Sequence, residues 1–453
     1  MAGRTVDFTR GGIIGKIVAF AVPIVLAEML QNLYNTVDSM VVGNFVGDKA
    51  LAAVSVCSAV SQMVVGFFNG MSIGASVIAA RYFGGGERER LGAAMRTAFA
   101  FAAALGLILS GVGIFAAPGL LGLISVPAEV YGDAVVYLRI YLAGILFTVV
   151  YNVAAGLLRA VGDSRGPFNV LVLVCALNIV LDLLFVVVWG WGVAGVSAAT
   201  VVSQMVAVFI VSFRLKKHDG SFRLTFGELS REREILRRVI SIGMPAGMQN
   251  CLISFSNLFV WRYISGFDAA AMAGLGATQR IDRFVALPCK GFGMAQTTFV
   301  SQNVGARKAE RVKHGFKSCL LLSLTYCFTV SAVLFAAAPY CIRLFNDAPA
   351  VVAAGIDMMH VMLPFYGFMA LREVCLGTLR GYGDTRVPMI LSLIGMVVLR
   401  QLYLAVALAL DHRIIHVYVG YPLAWAVTAA LTLGYYLAKR RRYEAMASLR
   451  TEK

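Results

Sequence analysis

Charge is what this chain has least of. Asp, Glu, Lys and Arg make up 14% of its 453 residues, where a soluble domain carries roughly a quarter, so a soluble globular protein is excluded. Acids are the scarcer sign, 24 against 40 Lys plus Arg, for a net charge of +16. Cysteine is sparse and unpatterned. The eight cysteines form no CxxC pair and no Cys/His cluster, so they read as small buried apolar residues, and no metal site or cofactor is expected. There is no GxxxxGK[ST] stretch, which excludes a P-loop; any uphill work must draw on an ion gradient. No nucleophile and base at useful spacing stand out, so the chain does not read as an enzyme.

What is present is apolar length. Hydrophobic residues make up 59% of the chain, its mean hydropathy is +0.78, and apolar runs of about 20 residues or more recur between short polar breaks. The runs lie near 14–42, 50–80, 92–117, 130–158, 167–189, 193–213, 238–264, 270–302, 318–338, 351–379, 387–410 and 416–438. The sequence GLLRAVGDSRGP from Gly156 to Pro167 returns from Gly377 to Pro388 as GTLRGYGDTRVP, a displacement of 221 residues. Ala117-Pro118 falls on Ala338-Pro339, and Glu89-Arg90 on Glu310-Arg311, at the same displacement. This is a tandem duplication. Six spans per half return the chain to its starting side, so the halves share one orientation. The expected fold is an all-α membrane protein: twelve transmembrane helices in two pseudo-symmetric six-helix bundles, a parallel tandem repeat. The expected divisions are an N-terminal lobe over 1–214, a cytoplasmic linker over 215–237 and a C-terminal lobe over 238–453.

The basic excess follows the topology. Lys and Arg crowd the termini and the loops after even-numbered spans, while Lys49, Arg343 and Arg413 alone occupy loops after odd-numbered ones. By the positive-inside rule both termini are cytoplasmic and the protein is a multi-pass protein of the cell membrane. Membrane lipids are then the partner of the positive charge, nucleic acid is not, and a monomer suffices. The first run carries too many polar residues for a cleaved signal peptide and reads as a retained span.

In that first span Glu28, Gln31, Asn35 and Asp38 share one stripe of the helix. Tyr34 borders it, four residues before Asp38, with a hydroxyl in reach of the carboxylate. The fourth span holds Asn152, the fifth Asn178 and Asp182 on one face, and the sixth Thr200. Charges inside spans are costly and so are expected to be functional or paired. The second half repeats the layout with other chemistry: the stripe falls on Asn250, Ser254, Asn257 and Val260, without an acid. Among its intramembrane charges are Arg280, Asp282, Arg283, Arg372, Glu373 and Arg400, of which 280, 282 and 283 read as a structural cluster or a gate lining rather than a substrate site. Arg372 and Glu373, adjacent in sequence, are expected to point apart. The lone His360 reads as a hydrogen-bonded core residue.

The strings LYNTVDSMVVGNFVG, NIVLD, FVSQNVGARKAER, GLLRAVGD and GTLRGYGD together resemble the multidrug and toxic compound extrusion (MATE) family. The resemblance implies two six-helix lobes around a central cavity, and export of organic cations in exchange for H⁺ or Na⁺. It places the coupling network on Tyr34, Asp38, Asn178, Asp182 and Thr200, with a Na⁺ ion, if that is the coupling ion, at Asp38, Asn178 and Asp182. Gln31, Asn35, Asn152, Asn250 and Asn257 are the expected lining of the substrate cavity. A flippase for lipid-linked oligosaccharide or another amphipathic lipid is the alternative, favoured by the arginines of the second half.

Overall fold

A computed structural model describes residues 5–123, 126–218 and 232–448, and within them every regular element is helical. In hydrocarbon a helix satisfies its backbone internally, which is why apolar runs of this length adopt it. The elements are α1 Ile13–Phe45, α2 Asp48–Gly85, α3 Arg88–Leu123, α4 Ala128–Ala143, α5 Ile145–Ala160, α6 Arg165–Asp182, α7 Gly192–His218, α8 Arg233–Ile264, α9 Ala269–Gly305, α10 Ala309–Arg343, α11 Pro349–Met362, α12 Tyr366–Gly381, α13 Arg386–Leu393, α14 Arg400–Leu410 and α15 Ile415–Ser448. Three pairs, α4/α5, α11/α12 and α13/α14, run on as single rods, so these helices form twelve rods among the described residues. The first pair bends by 47° at Gly144.

Nine of the rods are long and apolar enough to cross a membrane, ten with the bent pair. The other two of the twelve expected spans, α8 and α9, fall short on composition. They carry Gln249, Asn250 and Asn257, and Arg280, Asp282, Arg283 and Lys290. The middle of the expected linker, 219–231, lies outside the described residues.

Contacts divide the chain into two units, residues 1–7 with 26–247 and residues 8–25 with 248–453. Both divisions inside a helix fall two residues past a proline, Pro23 of α1 and Pro245 of α8. In the first unit α5 packs on α2, α3 and α7, and α6 on α7. The front half of α8 also belongs here, held against the glycine-broken stretch of α2. A Cβ on Gly70 would come within 2.3 Å of the Gly247 nitrogen, and one on Gly74 within 2.2 Å of the Val239 carbonyl. In the second unit α9 is the hub for α10, α11 and α12, and α12 packs on α15. The front half of α1 packs there on Gly291, the 221-residue counterpart of Gly70, where a Cβ would meet a Val25 methyl at 2.4 Å. The duplication therefore repeats a packing device as well as a sequence.

The repeated GD turns show why glycine is kept. Gly162 and Gly383 hold φ of 88° and 82°, the left-handed region that a side chain disfavours. Pro167 and Pro388 then stand in the first turns of α6 and α13, where a missing N–H is harmless. The acids differ in use. Asp163 accepts from the Gly166 N–H at 2.7 Å, whereas Asp384 accepts from the hydroxyls of Tyr435 and Tyr443, each at 2.7 Å.

Ahead of α1 the chain is pinned rather than loose. In the second unit the Phe8 N–H donates to Gln302 at 3.0 Å, and the Phe8 carbonyl accepts from Asn303 and Arg311. The Phe8 ring lies edge-on to Phe20 and Phe299, wholly buried.

Candidate functional site

In the first unit, α1 meets α6 through a small apolar contact of Tyr34 with Leu171 and Cys175. One turn beyond Tyr34 on α1 is Asp38, 7% exposed; on α6 are Asn178 and Asp182, 2% and 0% exposed. Asp182 is the last residue of α6 before a π-turn, Leu183–Val188, a local widening that often marks functional positions. Asp38 and Asp182 are electrostatic neighbours. Two ionised carboxylates are acceptors only and repel each other, so a proton or a cation shared between them would stabilise the pair.

Other partners are missing from the pair. Neither oxygen of Asp182, nor Oδ1 of Asp38, nor either amide atom of Asn178 has a hydrogen-bond partner in the described residues. Buried polar atoms left in this state call for an ion, a water or a mobile proton. Beside them Tyr34, Asn178, Thr200, Ser203 and Gln204 line a cavity with about 10 Å³ open to the centre of a water-sized sphere, the room for about one water molecule. The Tyr34 hydroxyl, expected to reach Asp38, makes no hydrogen bond to it. The Thr200 hydroxyl lines the cavity while donating back to the Val196 carbonyl at 3.1 Å.

The structure thus brings Tyr34, Asp38, Asn178, Asp182 and Thr200 together within one unit. Ser203 and Gln204 join them without having been expected, although with Thr200 they follow the i, i+3, i+4 pattern that puts all three on one face of α7. Tyr137 of α4, stacked on Tyr141 at 6.3 Å, also neighbours the acids. The expected cavity-lining amides divide between the two units. Gln31 is half-buried and Asn35 exposed on α1; Asn152 donates to its own helix at Thr148. In the second unit Asn250 is half-buried and Asn257 is held by Arg400 at 2.8 Å.

The second unit gathers its intramembrane charges around α9, α12 and α14. One expectation is overturned there: Arg372 and Glu373 do not point apart but form an ion pair of 2.5 Å. Both are 8% exposed. A buried carboxylate beside a long flexible guanidinium gains more from the contact than ideal helical directions cost. Asp282 accepts a hydrogen bond from the Tyr366 hydroxyl, Arg280 lies over the Phe345 ring, and His360 stacks on Phe335 with its Nε2 3.3 Å from the Phe335 carbonyl. Arg400, 1% exposed, directly follows a second π-turn, Ile394–Leu399. The two π-turns occupy different places in the repeat, yet each adjoins a buried charge.

Comparison with known proteins adds a family and a fold. A family model described as MatE matches residues 23–184 and 245–405. The chain is 29% identical over 404 residues to "Probable multidrug resistance protein YpnP" of Bacillus subtilis (strain 168), covering 89% of this chain and 90% of that one. It superposes on an outward-facing multidrug resistance MATE family transporter of the MOP superfamily with a TM-score of 0.88 at 24% identity, over 99% of this chain and 100% of the other. On a MOP superfamily transporter from Pyrococcus furiosus, described as having a binding pocket of reverse polarity, the TM-score is 0.87 at 24% identity, over 98% and 99% of the two chains.

Proposed function

Since this chain belongs to the MatE family of transporters, both halves being matched, we propose that it is an antiporter of the cell membrane that exports amphipathic organic cations against an inward-moving H⁺ or Na⁺. The observation that carries this reading is the Asp38–Asp182 pair: two buried carboxyls that are electrostatic neighbours, with unpartnered oxygens, near a small cavity lined by Asn178. Names of relatives such as YpnP and a staphylococcal "Multidrug export protein MepA" support drug-like cargo.

In this mechanism Asp38 and Asp182 hold either the ion or, through their negative charge, a cationic cargo. Entry of a proton or Na⁺ between the carboxyls neutralises the site; carboxylate and amide oxygens, including that of Asn178, are suitable hard ligands for the second. Attraction for the cargo then weakens, α1 exchanges its hydrogen bonds, and the cargo leaves on the far side. One charge moving down about 150 mV supplies roughly 3.5 kcal/mol, enough for a concentration ratio of a few hundred. The site therefore needs only a modest difference in affinity between states.

Purified protein in liposomes tests the reading with a fluorescent cation, using an imposed ΔpH in one arm and a Na⁺ gradient in the other. Efflux in one arm and its absence without a gradient is the expected result. Lipid scrambling independent of any gradient, with no cation efflux, overturns it in favour of the flippase, which the arginines of the second unit support.

A further inference from the structure

We propose that Arg372 and Arg400 form a subsite for an oxyanion, a carboxylate or phosphate, carried by an amphipathic cargo. The subsite begins with an imbalance of charge inside the second unit. Arg283, Lys290, Arg372, Arg380 and Arg400 stand in the neighbourhood of two acids, Asp282 and Glu373. Both acids are engaged: Asp282 takes the Tyr366 hydroxyl and lies near Lys290, and Glu373 takes Arg372 at 2.5 Å with Arg380 and Lys290 nearby. Among the described residues no carboxylate pairs with Arg400. Its guanidinium donates to the Ser256 hydroxyl at 2.9 Å and the Asn257 amide oxygen at 2.8 Å, and lies 5.6 Å from the centre of the Tyr421 ring. These partners are all neutral.

Arg372 and Arg400 are also electrostatic neighbours, so each is repelled by the other. Arg372 spends one nitrogen on Glu373 and another on the Met396 sulfur at 3.1 Å, a weak acceptor. The Nε atoms of both arginines are buried with no acceptor. A buried guanidinium is stable when paired with an anion, and Arg400, whose partners are all neutral, is not so paired. With Arg372, which keeps its Nε–H open beside its bond to Glu373, it offers N–H donors that suit the oxygens of an oxyanion. Asn257, exposed on α8, leads from Arg400 to the surface of the unit. Cargo with an apolar body and an oxyanion, alone or as a zwitterion, is the class that fits.

That such cargo is exported rests on the transport reading above; binding, however, is measured without an ion gradient, so failed efflux and failed binding are separate results. The full chain is placed in phosphatidylcholine nanodiscs and titrated with dansylundecanoate, an amphipathic carboxylate. Arg400→Gln is expected to weaken this binding at least tenfold and Arg400→Lys less, while affinity for the cation rhodamine 6G stays unchanged. Equal affinity of wild type and Arg400→Gln for the carboxylate overturns the subsite. If Arg400→Gln does not fold, wild type decides: octyl phosphate displaces the probe and octyltrimethylammonium does not, and equal displacement by the two overturns the proposal. Phosphatidylglycerol that raises the melting temperature of wild type but not of Arg400→Gln assigns the oxyanion to a lipid headgroup; absence of that shift assigns it to cargo.

Discussion

Asp38 and Glu373 are both buried acids of spans, and their surroundings set them different tasks. Glu373 is spent on Arg372, whereas both oxygens of Asp182 and Oδ1 of Asp38 have no hydrogen-bond partner among the described residues. Asp38→Asn is therefore expected to keep the fold and lose more than about tenfold in gradient-driven efflux, a barrier change of roughly 1.4 kcal/mol. Glu373→Gln leaves Arg372 unpaired and is expected to cost about 3–5 kcal/mol of stability. Melting temperature and liposome efflux measured on both variants separate these roles; loss of ion dependence in a well-folded Glu373→Gln would move the coupling site to the second unit. Phe8 offers a purely structural contrast. Its ring, buried against Phe20 and Phe299, should make Phe8→Ala lose about 3–5 kcal/mol in thermal unfolding. A Phe8→Ala protein melting like wild type would show that the segment before α1 bears no load.

Among the elements, α2 and α9 carry matching glycines whose neighbours differ in kind. Gly70 faces the backbone of α8 at Gly247, which moves only if the helix moves, while Gly291 faces the end of a valine side chain, which can turn away. Overpacking costs typically 1–3 kcal/mol, less where a neighbour relaxes. Gly70→Ala is accordingly expected to lower the unfolding midpoint more than Gly291→Ala, by about 1–3 kcal/mol. Equal losses would mean that the α2–α8 contact gives as readily as a methyl group. Gly70 stands in the stretch FNGMSIGAS, whose small residues permit close helix contact. Its partner was not legible there, because a glycine states that something approaches without stating what.

For the whole molecule, the Lys/Arg distribution predicts that the interval between Phe213 and Arg238 faces the cytoplasm. A single cysteine placed there in a cysteine-free background should resist a membrane-impermeant maleimide in intact cells and react after permeabilisation. Labelling of intact cells reverses the orientation. Composition, hydrophobic run length and the repeated GD turns by themselves determined that this is a helical membrane protein of two related halves, because the bilayer permits few other ways to satisfy a backbone of this apolarity. Polar residues on the same face of a helix likewise singled out Asp38, Asn178 and Asp182, and the family resemblance added Thr200. Which of these residues meet, and what they lack, was decided by tertiary structure. Helical spacing relates residues along one rod, but the approach of Asp182 to Asp38, the recruitment of Ser203 and Gln204, and the pairing of Arg372 with Glu373 depend on how separate rods pack and how long side chains fold back to escape a low dielectric.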